Sequence, residues 1–355
     1  MRHINYLATI ALSSLMFASC SNDELVSSPE TPVSAIEFKA MANKAARAAV
    51  STANIDRFRV RGCNMDAGTS DNHVMSFNSI YVEKSENGAW SYNNTQYWAP
   101  GKDYYFIALT TNTTLRAWSF AVPDEHISTL TPANFKGYGT VTMEITKEIE
   151  GADDAAADQD LVYAYATRTT DADITDASAI DFTFNHMLSR VALTFKNTFT
   201  NTNYALQISD IKLGGLINKA TCELGTAPAD LVWTPVAGDK VAVDVIVPED
   251  NKATSATPVT TTGDYKFIIP GDGQQLNISF NVTILLDNQV YSIRTLNGTI
   301  PATDYAPGKS YMLTAEISQD NIIEGGAKPI EFSVSSVQGW GSNTEGNIQL
   351  DNDNN

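Results

Sequence analysis

Chemistry in this chain would have to come from histidines, cysteines or clustered carboxylates, and each set can be weighed by its spacing. Of the four histidines, His3, His73, His126 and His186, none has a second His, a Cys or an acidic residue at the spacing of a metal ligand, so no metal site is expected. His186 reads as a core or sheet-edge residue. The sequence holds no Gly-x-Ser-x-Gly elbow, no phosphate-cradling glycine loop and no HExxH helix. Carboxylates gather at Asp153-Asp154 and between Asp171 and Asp181, in polar stretches that solvated charge explains and that lack the spacing of a calcium loop. Neither catalysis nor a cofactor is expected. Two residues instead look like targets of other enzymes, Cys20 and Arg47.

Cys20 follows a short basic start (Arg2, His3), an apolar run over residues 6–17, and the small pair Ala18-Ser19. Residues 1–19 therefore read as a secretory signal, whose apolar core is too short to remain as a membrane span. Phe17-Ala18-Ser19-Cys20 resembles a bacterial lipoprotein lipobox, with Phe17 in place of the usual leucine. That resemblance implies a diacylated cysteine as the new N-terminus, each buried acyl methylene adding about 0.8 kcal/mol of membrane affinity. The acidic run Ser21-Asn22-Asp23-Glu24 resembles the surface-export signal of lipoproteins in anaerobic Gram-negative bacteria. Residues 20–34 as a whole have the Ser, Pro, Thr and Glu content of a tether. Cys63 and Cys222 are expected to be unpaired, buried thiols, two cysteines being too few for a disulfide scaffold.

Arg47 sits in Met41-Ala42-Asn43-Lys44-Ala45-Ala46-Arg47-Ala48-Ala49, a small-residue stretch directly after Ala35-Ile36-Glu37-Phe38-Lys39-Ala40. The two-residue period puts Ile36, Phe38 and Ala40 on one face of a strand. The expectation is a strand that completes a β domain and is cut off at Arg47, opening a groove for a strand from a neighbouring subunit. Lys39, Lys44, Arg57 and Arg59 are rival cleavage sites, of which Arg57 and Arg59 lie within an alternating, strand-like stretch.

The elements around these sites read as short strands. Alternation marks residues 55–60, 78–82, 89–92, 104–110, 117–122, 140–145 and 161–165, and it resumes at 182–188, 190–196, 205–213, 240–247, 265–269, 276–286, 289–296, 310–317 and 330–337. No helical apolar period longer than about two turns occurs before residue 185. The class is all-β, sandwich or barrel. A Thr-, Asp- and Ala-rich stretch over residues 167–179 suggests a boundary between domains at about 48–172 and 173–340, followed by a polar tail, 341–355. Trp98-Ala99-Pro100-Gly101-Lys102-Asp103-Tyr104 and Tyr305-Ala306-Pro307-Gly308-Lys309-Ser310-Tyr311 repeat one turn-to-strand plan in the two halves. A net charge of -18 argues against nucleic acid and anionic lipid surfaces as partners.

Taken in order, the lipobox cysteine, the Ile-x-Phe strand, the alanine-flanked arginine, Tyr97-Trp98-Ala99-Pro100, Asp160-Leu161-Val162-Tyr163-Ala164, Phe184-Asn185-His186-Met187-Leu188-Ser189-Arg190-Val191 and Val337-Gln338-Gly339-Trp340 resemble the Mfa-like fimbrillin family, subunits of type V pili. The resemblance implies two tandem transthyretin-like Greek-key β-sandwich domains. It implies export as a lipoprotein through lipoprotein-processing enzymes to the outer membrane, with lipidation at Cys20. It further implies removal of residues 35–47 by an arginine-specific maturation protease at the Arg47-Ala48 bond, with Ile36 and Phe38 as plugs that leave with the strand. Assembly with other fimbrial subunits into an adhesive fimbrium would follow by strand exchange. Two donor segments are open: Ile330, Phe332 and Val334, which repeat the Ile-Glu-Phe pattern but could equally form the last strand of the second domain, and the tail pair Ile348 and Leu350. A C-terminus packed on its own domain would suit a tip or accessory position. The alternative is an anchored surface lipoprotein binding glycan on Trp90, Tyr92, Tyr97, Trp98, Tyr104, Tyr105 and Phe106, although such alternate aromatics usually serve a core.

Overall fold

The computed structural model describes residues 34–42, 55–69, 74–111, 118–121, 140–145, 159–174, 176–238, 240–245, 247, 252–253, 259–260, 265–322 and 330–339. Cys20, Arg47, Ala48, Ile348 and Leu350 lie outside the described residues, as do the signal and the tail.

The chain is nearly all β, as the alternating pattern requires. Its first half supplies β1 (Phe38–Ala42), β2 (Arg57–Asp66), β3 (Val74–Lys84), β4 (Trp90–Ser91), β5 (Lys102–Thr111), β6 (Trp118–Ala121), β7 (Thr140–Glu144), β8 (Leu161–Thr169) and β9 (Ile180–His186). The second half supplies β10 (Ser189–Asn197), β11 (Tyr204–Ile217), β12 (Lys219–Glu223), β13 (Val232–Pro235), β14 (Lys240–Val245), β15 (Lys252–Ala253), β16 (Val259–Thr260), β17 (Lys266–Ile268), β18 (Gly271–Leu286), β19 (Gln289–Tyr305), β20 (Lys309–Ile317) and β21 (Ile330–Gly339). One short helix, α1 (Gln319–Ile322), separates the last two strands.

Two large sheets build sandwich-like β domains. A seven-stranded sheet runs β1-β9-β8-β5-β2-β3-β4, and a ten-stranded sheet has the path β14-β11-β18-β19-β21-β20-β10-β16, with β15 and β17 beside it. A smaller sheet, β13-β12-β7-β6, joins strands from both halves of the sequence. The central strand β5 is buried on both faces. Its Tyr104, Phe106 and Ala108 enter an aromatic cluster with Phe58, Phe77, Phe182 and Phe184. Its Ile107 and Leu109 enter a larger cluster that continues through Val141 and Met143 of β7 into Leu193, Leu213, Val282 and Leu313 of the ten-stranded sheet. Cys63 and Cys222 are free and buried in that larger cluster, as expected. Burial pushes the Cys63 thiol up to about 12 and raises Cys222 as well, so both are held as inert thiols.

The repeated turn is one device used twice. Ala99 N–H donates to the Tyr104 hydroxyl at 2.7 Å, and Ala306 N–H donates to the Tyr311 hydroxyl at 2.7 Å. The ring before each turn meets its tyrosine edge-on, with centroids 4.7 Å apart in both copies. Gly101 and Gly308 take φ of 64° and 65°, the left-handed backbone that launches β5 and β20. Thr170 and Ser189 hydroxyls close the two turns by donating to the Ala99 and Ala306 carbonyls at 2.7 and 2.8 Å.

β21 is a full member of its own sheet. It pairs antiparallel with β20 from Ala315↔Phe332 to Lys309↔Gly339, and parallel with β19 at Gly298↔Ile330 and Thr299↔Glu331. Ile330 and Phe332 are buried and Val334 is half-buried. Gly298 makes this possible, since a Cβ there would stand 2.8 Å from Phe332 Cε2 and 3.1 Å from the Ile330 carbonyl oxygen. Gly298→Ala is therefore expected to cost about 1–3 kcal/mol through overpacking, read as a lower urea midpoint.

Candidate functional site

The described residues contain no group of three or more His, Cys, Asp or Glu side chains that could hold a metal ion. The feature that stands out is the seat of the N-terminal segment, residues 34–42, and it is built from backbone and aromatic rings.

Alternation along Ile36-Glu37-Phe38-Lys39-Ala40 turns Ile36 and Phe38 inward, leaves Ala40 half-buried and puts Glu37 and Lys39 in solvent. The segment changes partner along its length. Residues 34–36 lie antiparallel to residues 96–98: Ile36 N–H donates to the Gln96 carbonyl at 2.8 Å and Trp98 N–H to the Ser34 carbonyl at 3.0 Å. From there on, β1 pairs parallel with β9, from Phe38↔Ile180 to Ala42↔Phe184, and Ile180 N–H donates to the Glu37 carbonyl at 2.8 Å. The segment thus touches both ends of the seven-stranded path, β9 at one end and the β4–β5 connection at the other. The Tyr92 hydroxyl fastens the changeover by donating to the Ile36 carbonyl at 2.7 Å, and desolvation raises its pKa.

Phe38 is the anchor. Its ring stacks on Phe182 at 5.5 Å and meets Phe77 and Phe106 edge-on at 5.2 and 5.7 Å, with Tyr92 tilted at 5.6 Å. Such pairs each add about 0.5–1.5 kcal/mol beyond area burial. Ile36 and Phe38 together are worth about 3–6 kcal/mol at roughly 1.5–3 kcal/mol per buried side chain.

β9 depends heavily on this segment. Its register with β8 covers only Val162↔His186 and Tyr163↔Asn185, whereas β1 pairs along residues 180–184. Without β1, that stretch of β9 would present an unpaired edge beside an aromatic slot.

Of the rival cleavage residues, Lys44 lies outside the described residues, Lys39 faces solvent within β1, and Arg57 and Arg59 are in β2, their guanidinium groups 4.9 and 5.5 Å from the Tyr81 ring centroid. Of the seven aromatics considered as a glycan face, Trp98, Tyr104 and Phe106 are core, Trp90, Tyr92 and Tyr105 are half-buried, and Tyr97 is exposed.

One polar group escaped the reading of the histidines by local spacing. His186 Nδ1 lies 2.9 and 3.2 Å from the two carboxylate oxygens of Asp160, with His186 only 4% exposed and Asp160 0%. Arg190, also fully buried, places its guanidinium carbon 4.0 Å from the Tyr265 ring centroid. Burial lowers the Arg190 pKa, while Tyr265 and Asp160 act to raise it. The three residues hold the corner where the chain passes from β9 into β10. Antiparallel pairing of β8 with β9 brings Asp160 and His186 together, and the motifs beginning at Asp160 and Phe184 were the only signal of it.

Comparison with known proteins agrees with the architecture. A crystal structure of a fimbrial protein from Bacteroides vulgatus superposes with a TM-score of 0.54 at 15% identity, covering 86% of this chain and 99% of that one. A candidate cell adhesion protein from Bacteroides uniformis gives a TM-score of 0.50 at 16% identity, covering 88% and 99%. At such identities the likeness shows the fold. No curated protein matches this chain. The fimbrillin-like family model matches residues 45–331, most of the sequence, and the chain therefore belongs to the fimbrillin-like family.

Proposed function

We propose that this chain is a fimbrial subunit exported as a lipoprotein through Cys20, cut at Arg47-Ala48 by an arginine-specific protease, and assembled by strand exchange at the seat of residues 34–42. Family membership supports a fimbrial, cell-surface role in association with other subunits. The observation that carries the finer reading is the seat itself. A short strand with two buried anchors is held at a sheet edge, and the small-residue stretch containing Arg47 follows it in sequence. A replacement strand would restore both the hydrogen-bond row and the Ile36 and Phe38 pockets, which is β-strand addition.

A division into two domains belongs to the same reading, but because β9 pairs with β1 and β8 in the seven-stranded sheet, it falls between β9 and β10 rather than near residue 172. The choice of donor belongs to it as well: β21 is engaged on both sides in its own sheet. Donation from the C-terminal region therefore falls to Ile348 and Leu350, and a subunit that does not donate from its tail would occupy a tip or accessory position.

The test is the N-terminal sequence and mass of the protein recovered from the cell surface, with and without an arginine-specific protease. A start at Ala48 with SDS-resistant ladders is the expected result. An acylated start at Cys20 under both conditions, with no multimers, would overturn the proposal and leave an anchored surface lipoprotein.

A further inference from the structure

What fills the seat of residues 34–42 gives the shape of what the seat can hold. Phe38 is enclosed by four rings from separate parts of the sheet: Phe77 of β3, Phe106 of β5, Phe182 of β9, and Tyr92 directly after β4. Phe77, Phe106 and Phe182 are each 0% exposed, so these walls belong to the core. Two of them also close over Gly62, where a Cβ would stand 2.6 Å from Phe106 Cδ1 and 3.1 Å from Phe77 Cδ2. Walls packed this closely relax only in part around a smaller guest. Two residues on, Ala40 packs half-buried against the same cluster. At alternate positions the seat thus takes a branched aliphatic side chain, a ring and a small apolar group.

We propose that this seat selects a strand with an aromatic side chain at the Phe38 position, and that its occupant after cleavage is a segment of a different subunit rather than residues 341–355 of a second copy. The inference rests on the strand-exchange reading and names the partner that the exchange takes. Residues 341–355 contain no Phe, Tyr or Trp, so no register of them supplies the ring. Aligned on Ile348, they set Leu350 in the Phe38 pocket and Asn352 where Ala40 packs. Leucine forfeits the stacked and edge-on ring contacts, and an amide set against the aromatic cluster loses water. The Ile-x-Phe pattern itself recurs at Ile180 and Phe182, Ile278 and Phe280, and Ile330 and Phe332, but these lie in β9, β18 and β21, each paired inside its own sheet. The slot and the tail of one subunit therefore address different neighbours.

The test uses the full chain carrying Cys20→Ser, cut at Arg47 with its N-terminal strand still seated, and three labelled peptides: residues 34–42, the same peptide with Phe38→Leu, and residues 341–355. Retention is measured after exchange in urea below the unfolding midpoint. The 34–42 peptide should be retained, the Phe38→Leu peptide should bind at least about tenfold less tightly, and the 341–355 peptide less tightly still. In the uncut chain, Glu37→Gln combined with Phe38→Leu writes the Ile-Gln-Leu of residues 348–350 into the seated strand, and the urea midpoint should fall. Retention of either competitor equal to that of the 34–42 peptide, or an unshifted midpoint, would overturn the proposal and leave strand exchange standing. If Arg47 is not cut, or no peptide enters, the strand-exchange reading falls and takes the proposal with it.

Discussion

Phe38→Ala is expected to lower the stability of the uncut chain by about 3–5 kcal/mol, the range for emptying a buried phenylalanine site. The ring touches Phe77, Tyr92, Phe106 and Phe182, so its removal leaves a cavity among side chains that belong to four separate parts of the sheet. The measurement is the urea midpoint at unchanged slope. Lys39→Ala, one residue along and facing solvent, should stay within about 0.5 kcal/mol. An unshifted midpoint for Phe38→Ala would mean that the N-terminal strand contributes little, and the idea of a plug would fall with it.

Asp160→Ala should be as damaging, for a different reason. It strips the carboxylate from a fully buried position, taking away the partner of His186 Nδ1 and the negative charge that favours the buried Arg190 guanidinium. Removing one member of a buried ionic group costs about 3–5 kcal/mol, because the survivors have already lost their water. Asp160→Asn, which keeps a carbonyl oxygen near Nδ1, is expected to lose less than Asp160→Ala. Equal midpoints for the two variants would show that the oxygen facing His186 carries no weight.

How much of this was readable beforehand depended on whether the signal was local. The inward face of residues 36–40 follows from a two-residue period, and Ile36 and Phe38 are buried as that period demands. The two Ala-Pro-Gly-Lys turns were legible because proline, glycine and tyrosine each have a fixed task there. β12 was not anticipated: Lys-Ala-Thr-Cys-Glu has only Ala220 and Cys222 to bury, and it is a strand because β7 and β13 pair with it from either side. β18 and β19 run longer than their apolar stretches, to residues 271 and 305, because pairing with each other continues past the point where alternation fades. The Asp160–His186 contact spans 26 residues, so no inspection of neighbours could have found it.

The change of partner between Ile36 and Phe38 has a kinetic consequence. No single row of hydrogen bonds runs the length of residues 34–42, so the segment has two independently held halves rather than one continuous zip. The half that ends nearest Arg47 is bound to β9 through Phe38, and the other is clasped by Gln96, Trp98 and the Tyr92 hydroxyl. Under the proposed strand exchange, an incoming strand would need only to lift the first half to gain a foothold on β9, while the second still shielded its own stretch of the groove. Departure and replacement would then be split into two small barriers in place of one large barrier.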